Sequence, residues 1–70
     1  MKNSNERIVE TQAIAARWTK QKGGSRIAQE TAAIYAKQLL LSGKSAATAI
    51  DKGVKEGIKV FKQSQLTIVA

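Results

Sequence analysis

The 70-residue chain contains no cysteine and no histidine. The missing cysteines exclude disulfides and thiolate metal sites as a source of stability for a small fold. The missing histidines also remove the common nucleophile–base pairs of enzymes. The five acidic residues are scattered along the chain. The sequence therefore predicts a protein that is not an enzyme, holds no metal or cofactor and takes no small-molecule substrate.

Proline is also absent, and tryptophan, tyrosine and phenylalanine occur once each. A chain without proline suits an all-helical fold, because proline interrupts helices. Eleven of the hydrophobic residues are alanine, so few large apolar side chains remain to build a core. Small domains bury a smaller share of their surface than large ones. We therefore expect the chain to associate with copies of itself as a homo-oligomer.

Long apolar segments are missing too. No run approaches the length that crosses a membrane, and the start MKNSNERIVE lacks the apolar core of a signal peptide. Together with the absence of cysteine, these features predict a cytoplasmic protein without a membrane span.

Two glycine-containing segments, KGGS and SGKS, divide the chain into three stretches of helical pattern. Ser25 and Ser45 are typical N-cap residues, and Gly43 is typical of the position just past a helix end. The predicted helices cover about 4–21, 26–41 and 46–62. A short connection favours an antiparallel hairpin of helices two and three. The sequence thus predicts one domain, 1–70, folded as a small all-α three-helix bundle that self-associates.

The tail, residues 63–70, changes character because its sequence LTIVA is rich in residues typical of strands. Three alternatives remain open for it. The tail docks on the bundle, adds as a strand to a partner, or stays flexible.

Helix two carries a mainly apolar stripe that we expect to face the core. The stripe consists of Ile27, Thr31, Ile34, Gln38 and Leu41, and Ala28, Ala32, Tyr35 and Leu39 widen it. On helix one, Trp18 is expected in the core rather than stacked on a nucleic-acid base, because its helix face needs a large apolar residue.

Helix three has the most regular apolar stripe, and two glycines interrupt it. Glycine costs about 1 kcal/mol relative to alanine inside a helix, but it lets another backbone approach closely. We expect helix one, or a second copy of the chain, to occupy this groove of small residues. The residues assigned to helix packing or self-association are Ala49, Ile50, Gly53, Val54, Gly57, Ile58 and Phe61.

Positive charge dominates the surface, with a formal net charge of +7 and a pI near 10.2. Such a balance favours an anionic partner, either nucleic acid or an acidic protein. A ridge of lysines at 3-4-3 spacing lies on one face of helix three, and a second basic cluster surrounds the first glycine turn. The candidate nucleic-acid-binding residues are Lys52, Lys55, Lys59, Lys62, Arg17, Lys20, Lys22 and Arg26.

Two familiar motifs do not fit. SGKS matches the end of a phosphate-binding P-loop, but the earlier glycine of that motif is replaced by Gln38 and a helix precedes it. A helix-turn-helix centred on Gly43 requires small or apolar residues where Gln38, Ser42 and Lys44 stand.

The charge pattern favours a small basic accessory protein that binds nucleic acid through phosphates with little sequence specificity. The alternative is a protein-interaction module, an adaptor or inhibitor, that uses Val9, Leu40 and the LTIVA tail. A third possibility, a membrane-surface helix, is disfavoured by the two glycines and the lack of tryptophan on helix three.

Overall fold

The computed structural model describes the backbone of residues 4–69 and the side chains of residues 5–63. This part of the chain forms three helices without any strand: α1, Ser4–Gln21; α2, Arg26–Leu41; and α3, Ala46–Val69. The helices pack into one small bundle in which α2 and α3 are in close contact. The predicted all-α bundle and its hairpin of helices two and three are confirmed.

Both connections between helices end the preceding helix in the same way. Gly23 and Gly43 have positive φ angles of 88° and 98°, in the left-handed region that favours glycine. After α1, the N–H of Gly24 donates to the carbonyl oxygen of Thr19 over 2.9 Å, and the equivalent bond after α2 is 3.0 Å long. These are Schellman-type endings, which satisfy carbonyl groups of the last helical turn.

The helices that follow begin at capping serines, as the sequence predicts. The Ser25 hydroxyl accepts the backbone N–H of Ala28 over 3.3 Å at the start of α2. The Ser45 hydroxyl accepts the N–H of Thr48 over 3.2 Å at the start of α3. Each serine satisfies a donor that the first helical turn leaves without a backbone partner.

The glycines of α3 face the backbone of α2. A Cβ built on Gly53 would lie 2.7 Å from the carbonyl oxygen of Ala32, and one built on Gly57 would lie 2.5 Å from that of Ala28. The later glycine meets the earlier alanine, so the two helices run antiparallel. The groove predicted on helix three is therefore occupied by α2, and the prediction of helix one or a second copy in that place is wrong.

The core consists mainly of small side chains. Among the residues whose side chains are described, the buried apolar ones are Ala15, Ala28, Ala32, Ala36, Ala49, Ile50 and Val54. Larger residues, including Ile14, Leu39 and Leu40, pack against the edge of this cluster. The Gln12 side-chain amide donates to the carbonyl oxygen of Ala33 over 3.2 Å and links α1 to α2.

Of the stripe predicted on helix two, the alanines that widen it, Ala28 and Ala32, are buried in the core, and the prediction is wrong for its exposed large residues. Ile27, Ile34 and Leu41 are 67%, 57% and 66% exposed, and Gln38 is exposed beside them. The reason lies in α3, because its glycines bring the two backbones so close that only alanine fits between them. Helix α2 therefore turns its alanine row inward and Ile27, Ile34 and Leu41 outward.

Helix α3 continues through Val69, past the predicted end at residue 62. No glycine or proline follows Gly57, and β-branched residues disfavour a helix by only a few tenths of a kcal/mol each. The tail is thus helical rather than extended. The side chains of residues 64–70, and with them the prediction that the tail docks on the bundle, lie outside the described residues.

Candidate functional site

The lysine ridge of α3 is exposed, as its spacing implies. Lys52, Lys55, Lys59 and Lys62 are all on the surface. Most of the apolar stripe of the same helix packs on the other side, while its edge at Val54 and Ile58 borders the lysines. The fold therefore holds four ammonium groups along one solvent-facing side of a single helix.

A groove joins part of this ridge to the end of α1. It has a volume of about 460 Å³. Lys22, in the turn after α1, lines it together with three lysines of α3. The residues that line the groove are Lys22, Val54, Lys55, Ile58, Lys59, Lys62 and Gln63. Two basic regions that are far apart in sequence thus meet at one concave surface.

The groove combines an apolar floor with a cationic rim. Val54 is buried and Ile58 half-buried beneath the lysine side chains, whose own stems are apolar. A lysine ammonium group is a compact charge that binds phosphate from several directions. Such a surface can hold a ligand that carries phosphates along one edge and an apolar or aromatic face on the other.

Among the residues that the structure describes, a carboxylate pairs with one of the groove lysines. Lys55 Nζ lies 3.3 Å from Asp51 Oδ2, and both side chains are mostly exposed. Surface pairs of this type contribute roughly 0–1 kcal/mol and are weakened by salt. In the described part of the chain, no carboxylate pairs with Lys22, Lys59 or Lys62. Most of the positive charge at the groove is therefore available to an external anion.

The remaining predicted basic residues are exposed but lie outside this groove. Arg17 and Lys20 are on the last turns of α1, and Lys52 precedes the groove on α3. Arg26 Nε lies 3.3 Å from Glu30 Oε1 at the start of α2. Of the two basic clusters predicted from the sequence, the structure places Lys22 at the groove with Lys55, Lys59 and Lys62.

Trp18 is 47% exposed, so the prediction that it belongs to the core is wrong. It lies one helical turn before Lys22, whose N–H donates to the Trp18 carbonyl oxygen over 3.1 Å. The described residues that α1 buries are the small ones Thr11, Ala15 and Thr19, and the indole lies at one edge of this row. An exposed tryptophan next to cationic residues is a typical platform for stacking a nucleic-acid base.

The residues predicted for helix packing serve the interior of the chain. Ala49, Ile50, Gly53 and Gly57 are buried, and Phe61 is half-buried. The sequence pattern predicts helix packing or self-association for Val54 and Ile58. Their second role, as the floor of the groove, depends on the position of the α1–α2 turn, for which the sequence offers no local signal.

The surface predicted for a protein partner is partly present. Val9 is 63% exposed, whereas Leu40 is half-buried against the core cluster. The side chains of the LTIVA segment lie beyond residue 63 and so outside the described side chains. The exposed residues Ile27, Ile34 and Leu41 enlarge the apolar surface beyond what the sequence indicated.

Other kinds of site are not found in the residues that the structure describes. No group of three or more potential ligands is arranged there to hold a metal ion. None of the three helices, over its described length, combines the length and the apolar character that crossing a membrane requires.

The fold and the groove define a small basic three-helix bundle with an alanine–glycine core. Comparison of the chain with protein-family models, with curated proteins and with solved structures gives no match. Its function is therefore argued from its own geometry.

Proposed function

We propose that this protein binds nucleic acid through phosphate contacts, with little sequence specificity. The observation that carries the proposal is the meeting of Lys22 with Lys55, Lys59 and Lys62 around one groove. The formal net charge of +7 supports it, since a positive field attracts polyanions over long distances.

Binding at this groove is electrostatic in the first place. Each lysine that neutralises a phosphate releases counterions, so the affinity depends steeply on salt. Phosphate contacts position the strand and carry no sequence information. Trp18 adds a stacking surface that accepts any base, because every base presents a π-face. A single strand, whose bases are free to stack, suits this combination better than a duplex.

The test compares two variants of equal charge. The groove variant carries Lys22→Gln and Lys59→Gln, one lysine from each side of the groove. The control variant carries Arg7→Gln and Lys44→Gln, which are equally exposed and line a different concave region. Both variants lower the net charge by two, and circular dichroism verifies that both keep the helical fold.

Binding of a labelled random single strand and of a labelled duplex is measured between 50 and 200 mM salt. We expect the groove variant to bind roughly tenfold more weakly at about 0.1 M salt. Its slope of log K against log salt should fall by about 1.4 for a single strand, which corresponds to two lost phosphate contacts. The control should retain affinity within a few fold. Equal losses in both variants, or no binding at 50 mM salt, would refute the proposal.

A protein-interaction function is the second candidate, and the exposed apolar residues Val9, Ile27, Ile34 and Leu41 favour it. The protein would then act as an adaptor or inhibitor of a larger protein that it contacts through this apolar surface. Absence of nucleic-acid binding at low salt, together with partner binding that is lost on substitution of these residues and insensitive to salt, would support this alternative.

A further inference from the structure

The outward face of α2 has the pattern of a coiled-coil seam. Ile27, Ile34 and Leu41 recur every seven residues and are 57–67% exposed. Thr31 and Gln38 lie between them, so the whole set has the 4-3-4-3 spacing of alternating heptad positions. The larger residues occupy one heptad position and the polar ones the other.

This seam points away from the bundle. At about 100° per residue, it is centred roughly 140° around the helix from the row Ala28, Ala32 and Ala36. That alanine row is fully buried against α3. Its large residues stay mostly exposed, although Leu41 also lines a concave region beside Arg7 and Ile8 of α1, and none of the seam residues lines the lysine groove. The seam is therefore a surface separate from the candidate nucleic-acid interface.

Charges beside the seam decide which partner fits it. Glu30 and Lys37 lie on the same edge of the seam, seven residues apart, and both are exposed. In an antiparallel pair of α2 helices, these edges face each other, so Glu30 of each copy meets Lys37 of the other. In a parallel pair they would instead face Tyr35 and Ser42, and no opposite charges would meet.

We propose that a second copy of this chain covers the seam, with the two α2 helices antiparallel. The two-fold axis passes close to Thr31 and Ile34, which brings Ile27 near the Leu41 end of the other helix. Two reciprocal Glu30–Lys37 pairs flank the contact. Within one chain, Glu30 Oε1 already accepts a hydrogen bond from Arg26 Nε over 3.3 Å. A carboxylate has a second oxygen to accept a lysine of the other copy.

The first test measures molecular mass by sedimentation equilibrium from about 1 μM to 1 mM. We expect the mass of the native chain to rise from 7.5 kDa toward twice that value. Ile34→Lys places two like charges near the axis and should leave a folded monomer at every concentration. The matched control, Val9→Lys, changes a similarly exposed β-branched residue on α1 and should associate like the native chain.

A charge exchange tests the antiparallel arrangement. Glu30→Lys and Lys37→Glu should each weaken self-association by about tenfold, because like charges then meet at both flanks. A mixture of these two variants should form a heterodimer, and the double variant should recover native self-association. Only an antiparallel pairing of identical seams restores both contacts in this way.

Several outcomes would overturn the proposal. A mass that stays at 7.5 kDa up to 1 mM rules out the self-pairing. Association that survives Ile34→Lys places the contact on another surface. Association that is lost in Ile34→Lys but not recovered by the charge exchange rules out the antiparallel arrangement. A native chain that stays monomeric yet binds an unrelated apolar helix through Ile34 would assign the seam to a different partner.

Discussion

Replacing Gly57 by alanine tests the close packing of α2 on α3. In an ordinary helix interior this change is favourable by about 1 kcal/mol, because alanine loses less backbone entropy. Here the new methyl group would lie 2.5 Å from the carbonyl oxygen of Ala28 and 3.1 Å from the Cβ of Ala32. The nearest obstacle is backbone, which is unable to rotate out of the way as the end of a side chain does.

The magnitude follows from the missing space. Ordinary contact begins near 3.4 Å, so the methyl group is about 0.9 Å too close to that oxygen. If α2 and α3 move apart to make room, the rest of their interface acquires a gap. A gap of about 0.5–1 Å loses roughly a quarter to a half of the attraction between each pair of atoms across the interface. Overpacking of a tight core costs about 1–3 kcal/mol, and a backbone obstacle places this site near the upper end. After the gain in helix propensity is subtracted, we expect Gly57→Ala to destabilise the protein by about 1–2 kcal/mol.

Thermal and urea unfolding, followed by circular dichroism at a fixed low protein concentration, measures the effect. The expected loss corresponds to a fall in Tm of about 4–16 °C for a domain of this size. The matched reference is the pair Lys52→Gly and Lys52→Ala, because Lys52 is an exposed position of the same helix. The stability difference within that pair gives the gain from glycine to alanine where no neighbour obstructs the methyl group.

The reasoning is refuted if Gly57→Ala stabilises the protein by as much as the Lys52 reference pair predicts. The α2–α3 interface would then have room for a methyl group. The same argument predicts a smaller loss for Gly53→Ala, since the nearest backbone atom there lies 2.7 Å away instead of 2.5 Å.

Two further predictions concern a turn and the groove. Gly43→Ala should lower stability by about 1–2 kcal/mol in urea unfolding, although no atom lies within 4 Å of the new methyl group, because φ is 98°. Gly43→Asn should lower the free energy of unfolding by less, because asparagine tolerates this backbone angle better. Equal losses for both variants would show that the backbone angle is not the cause. Asp51→Asn removes the carboxylate beside Lys55. It should strengthen single-strand binding severalfold, while the free energy of unfolding changes by at most about 1 kcal/mol. Unchanged binding would show that Lys55 does not contact the nucleic acid.

The helix boundaries near the two turns follow from local chemistry, and the sequence predicts them well. Gly43 ends α2 and Ser25 begins it, as their residue types indicate, because caps depend on only a few neighbouring backbone groups. The prediction ends helix three at about residue 62, whereas α3 continues to Val69. The change to β-branched residues after residue 63 resembles a helix end, but it is only a weak helix breaker.

The face that α2 buries depends on its partner and not on its own pattern. Hydropathy favours the row that contains Ile34, yet the structure buries the row that contains Ala32. The deciding constraint is Gly57, 25 positions later in the chain, which sets how close the helices come. A hydrophobic stripe read from one helix alone contains no information on that distance. Trp18 was misplaced for a related reason, since α1 also buries small residues and leaves the indole about half exposed.

The sequence predicts the basic residues of the candidate site, but it does not predict which of them meet at one groove. The lysine ridge of α3 follows from 3-4-3 spacing, which fixes one face of a helix. The addition of Lys22 to this ridge requires that α1 ends beside the second half of α3. That relation is tertiary, so the sequence alone predicts two separate basic clusters, and of the cluster around the first glycine turn only Lys22 lines the groove.

The placement of small residues inside and large ones outside also affects how stability varies with temperature. The heat capacity of unfolding comes mainly from apolar surface that water reaches, and it is about 12–15 cal/mol/K per residue in ordinary domains. Five of the seven buried apolar residues described are alanine, so unfolding exposes less apolar surface from this buried core than from a core of larger residues. A lower heat capacity gives a flatter stability curve. The bundle should therefore change its stability little between cold and warm conditions, whereas pairing through Ile27, Ile34 and Leu41 should weaken on cooling.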